Sequence, residues 1–261
     1  MSAKVIAIGN QKGGVGKTIS TYNLAASLSR AGKTTLMIDM DPQYSLTLSC
    51  AMLPDAEEYN GMSTCSLFDK KTDPLDCCFT VDAMKTTNLF IIPSSQKLAV
   101  TERKLSSVKG VYQTFRTHVE KLRDYFDYIF FDCPPTLAEL LISSLIAADG
   151  VIIPVIPDKL SYGVIDDMLT TINEVKNGRE NQPHNKDLEI VGFIATKYSS
   201  RSQVHKDYVE LINEEQNLLG IIPDATSVSK AVEEGLPVVI AHPQTKAAKE
   251  YKRIAFSLLD I

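Results

Sequence analysis

Lys12-Gly13-Gly14-Val15-Gly16-Lys17-Thr18 lies between an apolar run, Val5 to Ile8, and a segment from Ser20 to Ala31 in which Leu24, Ala25 and Leu28 recur at helical spacing. The order is strand, glycine-rich turn, helix. Small residues let such a turn wrap closely around a phosphate, the N–H groups of the turn and first helical turn point inward, and the helix dipole favours negative charge. In this setting Lys17 reaches the β- and γ-phosphates of a nucleotide and the Thr18 hydroxyl ligates Mg²⁺. The common spacing G-x-x-x-x-G-K-[ST] is missed by one residue, because Gln11 replaces its first glycine, and a second lysine, Lys12, stands at the mouth of the loop. A turn without a ligand is the alternative, and the strand–turn–helix context argues against it.

Two further acidic sites fall at strand ends. Thr35 to Ile38 reads as a strand that runs into Asp39-Met40-Asp41-Pro42-Gln43. The two carboxylates share a direction if the strand continues and diverge if the chain turns at Asp41, which Pro42 favours. They are either turn formers or ligands, and in an open parallel sheet ligands bind at this end. Tyr128 to Phe131 is a buried strand that ends in Asp132-Cys133-Pro134-Pro135. Asp132 there is placed to hold Mg²⁺ through a water, or to cap a helix beginning near Leu137.

The remaining strands are read at Leu89 to Pro93, Val151 to Pro157, Leu188 to Thr196 and Leu218 to Ile222. Helices are read at Gln96 to Leu105, Val111 to Tyr125, Ser161 to Lys176, Gln203 to Asn213, Ser227 to Glu233 and Thr245 to Leu259. Leu53 to Thr87 reads as loops and short helices over one sheet edge, and Gly178 to Asp187 as a surface loop. Strands and helices alternate without a repeat, so the expected fold is α/β: one doubly wound, mainly parallel sheet flanked by helices, in a single domain over residues 1–261. Lys12 to Thr18, Asp39, Asp41 and Asp132 then all fall at carboxyl ends of strands.

With 44% apolar and 23% charged residues, the chain has the composition of an ordinary globular protein. A net charge of −5 supplies no global attraction to nucleic acid or acidic lipid, so any such binding needs a local patch. Five cysteines without C-x-x-C spacing argue against a disulfide framework and against a single-chain zinc or iron–sulfur site. Cys77-Cys78 reads as small apolar surface and Cys133 as a packed thiol. No signal sequence and no bilayer-length apolar run is found, so a cytoplasmic protein is expected.

Gly9 to Thr18, Asp39-Met40-Asp41-Pro42-Gln43 and Asp132-Cys133-Pro134-Pro135 together resemble the deviant Walker A ATPases of the ParA/MinD family, in its ParA/Soj branch. The likeness runs from about Val5 to Leu259, with Ile222-Pro223 and Gly235-Leu236-Pro237-Val238 similar to late landmarks of the family. It implies a P-loop ATPase that uses ATP and Mg²⁺. Lys12, Gly13, Gly14, Val15, Gly16, Lys17, Thr18 and Ile19 would hold the nucleotide, with adenine between the Thr196-Lys197-Tyr198 and Pro223-Asp224 loops. Lys17 and the loop amides would bind phosphate, while Thr18, with Asp39 and Asp132 through water, would hold the metal. Asp41 would position or activate the attacking water, Asp132 would belong to the second switch, and Lys12 would cross a two-fold interface to the other subunit's nucleotide. Ile19 replaces a threonine common in the family, and Asp224 stands where chromosomal members often carry a DNA-binding arginine.

The function that the resemblance implies is partition: an ATP-dependent homodimer that binds DNA non-specifically, positions plasmid or chromosomal DNA, and is discharged by a ParB-like centromere-binding or adaptor partner, in association with the nucleoid. For the DNA contact the last helix offers Lys246, Lys249, Lys252 and Arg253, a basic stripe that is either a DNA surface or a solvated face. A MinD-like membrane ATPase, a positioning ATPase for a protein cargo and an electron-transfer ATPase are the alternatives. The acidic end of the tail argues against the membrane, and the absence of glycine-flanked cysteines against the last.

Overall fold

The computed structural model describes residues 2–82, 88–105, 107–108, 110–178 and 183–260. Parts of the two loops expected at 53–87 and 178–187, residues 83–87 and 179–182, lie outside the described residues, as does Ile261 of the tail.

The chain runs β1 (Lys4–Ile8), α1 (Lys17–Arg30), β2 (Thr35–Asp39), α2 (Ser45–Ser49), three 3₁₀ turns between Glu57 and Cys77, then β3 (Phe79–Thr80) and β4 (Leu89–Ile92). Helices α3 (Leu98–Leu105) and α4 (Val111–Leu122) lead to β5 (Tyr128–Asp132), α5 (Glu139–Ala147) and β6 (Gly150–Val155). Next come α6 (Lys159–Tyr162), α7 (Ile165–Asn177), β7 (Glu189–Tyr198), α8 (Gln203–Glu215) and β8 (Leu218–Pro223). The chain closes with α9 (Thr226–Glu233), α10 (Val238–Ala241) and α11 (Lys246–Ser257).

The strands form one eight-stranded sheet in the order β3-β4-β2-β5-β1-β6-β7-β8, parallel except where β3 meets β4. Successive side chains of a strand point to opposite faces, and both faces here are covered. Phe131 therefore packs with Phe115, Leu141 and Met168 under α4, α5 and α7, while its neighbour Phe130 packs with Leu24, Leu28, Tyr251 and Ile254 under α1 and α11. This is the doubly wound sheet expected from the sequence. β1 and β5 lie side by side at its centre, which brings the phosphate-loop strand beside the strand carrying Asp132.

Four features differ from expectation, two of them the short helices α2 and α10, which the sequence reading does not place. Phe79–Thr80 pairs antiparallel at the sheet edge, a strand too short to show a period. The helix expected over 161–176 is broken into α6 and α7 at Gly163 and Val164, and Asp158 caps α6 by accepting the Ser161 N–H at 2.7 Å. Among the described residues, no helix is long and apolar enough to cross a membrane.

Candidate functional site

The turn after β1 is fixed from both sides before its glycines begin. Asn10, fully buried, donates to the Pro154 carbonyl at 2.8 Å and accepts the Lys12 N–H at 2.9 Å, so the loop entrance is tied to β6. Gln11, where a glycine is usual, donates to Thr171 Oγ1 and the Asp167 carbonyl of α7. Thr196, at the end of β7, donates to the Val15 carbonyl at 2.8 Å. Gly14 and Gly16 take φ of 75° and 85°, which an L side chain rarely adopts, and a Cβ at Gly13 or Gly14 would meet nothing within 4 Å. The N–H groups of residues 13–18 donate to no described residue. A rigid loop with open space over it and unused donors is the geometry of an anion cradle.

Charge of both signs converges below the loop. Asp39 and Asp132 are partners on adjacent parallel strands, 0% and 1% exposed. Asp132 Oδ2 accepts the Thr18 hydroxyl at 2.7 Å and Oδ1 that of Thr21 at 3.4 Å. Asp39 turns away towards α2, where Oδ2 accepts the N–H and hydroxyl of Thr47, while Oδ1 accepts the Asp41 N–H. The chain turns at Asp41, so the two carboxylates diverge. Asp41 Oδ1 accepts the Gln43 N–H at 2.9 Å and the carboxylate remains within electrostatic reach of Lys17. Lys17, 7% exposed, has one hydrogen-bond acceptor among the described residues, the Lys12 carbonyl at 3.1 Å.

Burial pushes Asp39 up to about 7, against the hydrogen bonds from Thr47 and Asp41. Burial and then the Asp39 charge raise Asp132 well above the carboxylate range, with Thr18 and Lys17 opposing. Burial lowers Lys17, opposed chiefly by Asp132. Two hydroxyl-backed carboxylates that repel each other beside a buried cation lack a further positive charge, and their hard oxygen donors suit Mg²⁺, which ordinarily takes one or two carboxylates and completes its shell with water and phosphate. Because burial makes Asp39 and Asp132 hold their protons to higher pH in the fold than in the unfolded chain, they contribute stability that is full below the unfolded carboxylate pKa and is lost as pH rises, for Asp39 through about 7. Asp132→Asn is therefore expected to raise the melting temperature of the nucleotide-free protein by roughly 2–4 °C at about pH 8 and to flatten its decline from about pH 5. Thermal melts across that range check this, and an unchanged profile would refute it.

Lys12 does not point at these carboxylates. Its Nζ donates to Ser161 Oγ at 2.8 Å and lies 3.7 Å from Asp158 Oδ1. Against a burial effect that pushes it up, the Ser161 N–H and hydroxyl and the Lys12 charge hold Asp158 below the usual carboxylate range.

Of the adenine and DNA candidates, Tyr198, Pro223, Asp224, Lys246, Lys249 and Arg253 line one groove of about 850 Å³, and Lys197 and Lys252 do not. Tyr198 and Pro223 are register partners on β7 and β8, and the Asp224 N–H donates to the Tyr198 carbonyl. Lys197 holds φ at 50° in the same strand end. Arg253 is engaged by Glu250, at 2.8 Å, and by the Leu219 carbonyl. Lys252 sits 5.3 Å from the centre of the Phe256 ring and, with Lys249 and Arg30, lines a second cavity of about 460 Å³ between α1 and α11. The basic stripe is thus divided: Lys249 borders both cavities, Arg253 is neutralised, and Arg30 joins from the far end of α1. Thr47 and Arg30 carry no signal in the sequence that singles them out, and neither the tie of Asn10 to Pro154 nor that of Thr196 to Val15 can be read there, since those partners are distant along the chain.

Residues 3–190 match the model of a family described as AAA domain. The sporulation initiation inhibitor protein Soj of Bacillus subtilis is 31% identical over 97% of this chain and 96% of its own. The structure of cobyrinic acid a,c-diamide synthase from Mycobacterium smegmatis with bound ADP and magnesium is similar at a TM-score of 0.81 and 27% identity, over 98% of this chain and 94% of that one. The septum site-determining protein MinD of Pyrococcus horikoshii, complexed with Mg-ADP, shares the fold at a TM-score of 0.77 and 21% identity, over 98% and 96% of the two chains.

Proposed function

Because the chain belongs to the ParA/MinD family of ATPases, we propose that residues 1–261 form one domain that binds Mg-ATP, hydrolyses it, and uses the cycle to partition DNA. The observation that carries this reading is the convergence of an open anion cradle, the buried Lys17 and the Thr18–Asp132 pair at the carboxyl ends of two adjacent strands, β1 and β5. Lys17 and the free N–H groups of the loop would hold the β- and γ-phosphates. Thr18, with Asp132 and Asp39, would hold Mg²⁺, which when bound would supply positive charge to the phosphate. Water held by Asp41 attacks the γ-phosphorus, the bond to the bridging oxygen breaks, and ADP and phosphate leave. A loose phosphoryl-transfer transition state needs this placement of charge and little covalent help.

Lys12 supplies a further cation to the nucleotide of a second subunit, so ATP joins two copies face to face and turnover depends on assembly, as it does with arginine fingers. The dimer doubles the cations at Lys246, Lys249 and Lys252 and binds DNA backbone without sequence preference, in the cytoplasm on the nucleoid. A ParB-like partner on the cargo discharges it. A net charge of −5 makes a local, assembly-doubled patch the route to DNA.

Binding to random-sequence duplex DNA, with ATP or ADP and at two salt concentrations, tests this. Wild type is expected to bind only with ATP and more weakly in high salt, Lys12→Ala to lose binding, and Lys249→Ala to lower the salt slope by about 1 for each phosphate that the lysine neutralises. An ATP dimer that binds no DNA in any state would overturn the nucleoid reading and move the search to a membrane or protein cargo.

A further inference from the structure

A third cavity, of about 280 Å³, runs along α4, with Gln113, Thr114, Thr117, His118 and Lys121 on one face of the helix and Lys70 contributed by the turn after Phe68. Thr114 and His118, 7% and 2% exposed, form its floor, while Lys70, Gln113, Thr117 and Lys121 are exposed around them. The His118 ring is fixed: Nδ1 lies 2.8 Å from the Leu67 carbonyl, which can only accept, so Nδ1 carries a proton and Nε2 is the ring nitrogen left for a ligand. The Thr114 hydroxyl is spent on the Gly110 carbonyl at 3.1 Å. Among the described residues, nothing bonds the Gln113 amide, the Thr117 hydroxyl or either ammonium, and no carboxylate lines the cavity. Glu120, the acid beside Lys121 in sequence, is drawn to Arg123 at 3.2 Å.

We propose that this cavity is a second anion site, which binds a phosphate group, either free or as the monoester of a small molecule. In a chain of net charge −5, two unpaired cations and two unused neutral donors around a buried imidazole form a local excess of donors that only an anion satisfies. A phosphate group presents three strong acceptor oxygens and close to two charges at neutral pH, enough for both ammoniums, the Thr117 hydroxyl and the Gln113 amide together. A carboxylate, with two oxygens and one charge, leaves part of that set unmet. Nε2 of His118 serves in either state of the ring: charged, it donates to a phosphate oxygen, and neutral, it accepts from a phosphate that retains a proton. The volume limits what the phosphate can carry. Sites for drug-sized ligands span about 300–1,000 Å³, so this one takes a phosphate with a few further atoms and excludes a whole nucleotide. None of its residues belongs to the nucleotide site, so the proposal is independent of the ATPase reading.

The protein has four histidines, so a magnetic resonance spectrum of ring-labelled histidine reads this cavity directly. The His118 signal is the one that His118→Gln removes, or, should that variant not fold, the one that persists when the other three histidines are replaced. The probes are inorganic phosphate and glycerol phosphate, added at constant pH, with chloride at matched ionic strength as the control. Either phosphate is expected to move the His118 signal saturably at millimolar concentration, and chloride to leave it in place. Lys70→Ala and Lys121→Ala, at exposed positions without partners among the described residues, should each weaken that binding about threefold to tenfold. Tighter binding of glycerol phosphate assigns the site to an ester, and tighter binding of inorganic phosphate to the free ion. A His118 signal that stays still, that moves equally with chloride, or whose midpoint is the same in both lysine variants as in wild type overturns the site.

Discussion

Lys17→Ala is expected to weaken ATP binding by about a hundredfold or more and to remove measurable hydrolysis. The side chain is buried, its ammonium has the Lys12 carbonyl as sole acceptor among the described residues, and desolvation lowers its pKa while Asp132 and Asp41 oppose the shift. A cation kept in that condition has given up water and received little in return, so a phosphate placed above it gains the full strength of a charge-assisted bond in a low dielectric. The same poverty of partners predicts that the fold survives: alanine leaves one carbonyl unbonded, at a loop already anchored by Asn10 and Thr196. Lys17→Arg should not restore binding, because a larger planar head does not fit a site 7% exposed. Calorimetric titration with Mg-ATP checks this, and binding within a few fold of wild type would remove Lys17 from the phosphate site.

What the sequence reveals follows from how local each signal is. The loop Lys12 to Thr18 is legible because strand, glycines and helix are contiguous, and Asp39, Asp41 and Asp132 because an apolar run that stops at an acid marks a strand end wherever it occurs. Their meeting at one sheet edge needs only the rule that parallel strands share a direction. That Asn10 and Thr196 anchor the loop is not legible, since each acts through a carbonyl some 144 or 181 residues away. Arg253 shows a different gap. Glu250 stands three residues earlier on the same helix face, but a reading that follows cations alone makes a stripe from four positions of which one is already paired. Lys12 is a third case: its motif reports where the lysine goes in an assembly, and only the fold shows that it has a resting place on α6.

Asp41→Ala is expected to slow hydrolysis by roughly 10²–10⁴-fold while ATP binding stays within a few fold of wild type, the opposite division from Lys17. Asp41 is set by a tight turn: its N–H donates to Asp39, its carbonyl accepts the Ser94 hydroxyl at 2.7 Å, and one carboxylate oxygen accepts the Gln43 N–H, leaving Oδ2 for a water. Burial raises its pKa and the Lys17 charge opposes the shift, so the carboxylate is more basic than an ordinary one yet near a cation. A base must be ionised, and the rate should therefore fall as pH drops through a pKa above the ordinary carboxylate range. Asp41→Asn separates the two ways the residue could act. An amide still orients water but accepts no proton, so a rate near wild type assigns positioning, and a rate near that of Asp41→Ala assigns proton transfer. With hydrolysis blocked and binding intact, the ATP state should persist, and the salt-sensitive DNA complex of the proposed dimer should outlive that of wild type by a comparable factor. Wild-type hydrolysis in Asp41→Ala, or binding and turnover reduced equally, would place the attacking water elsewhere.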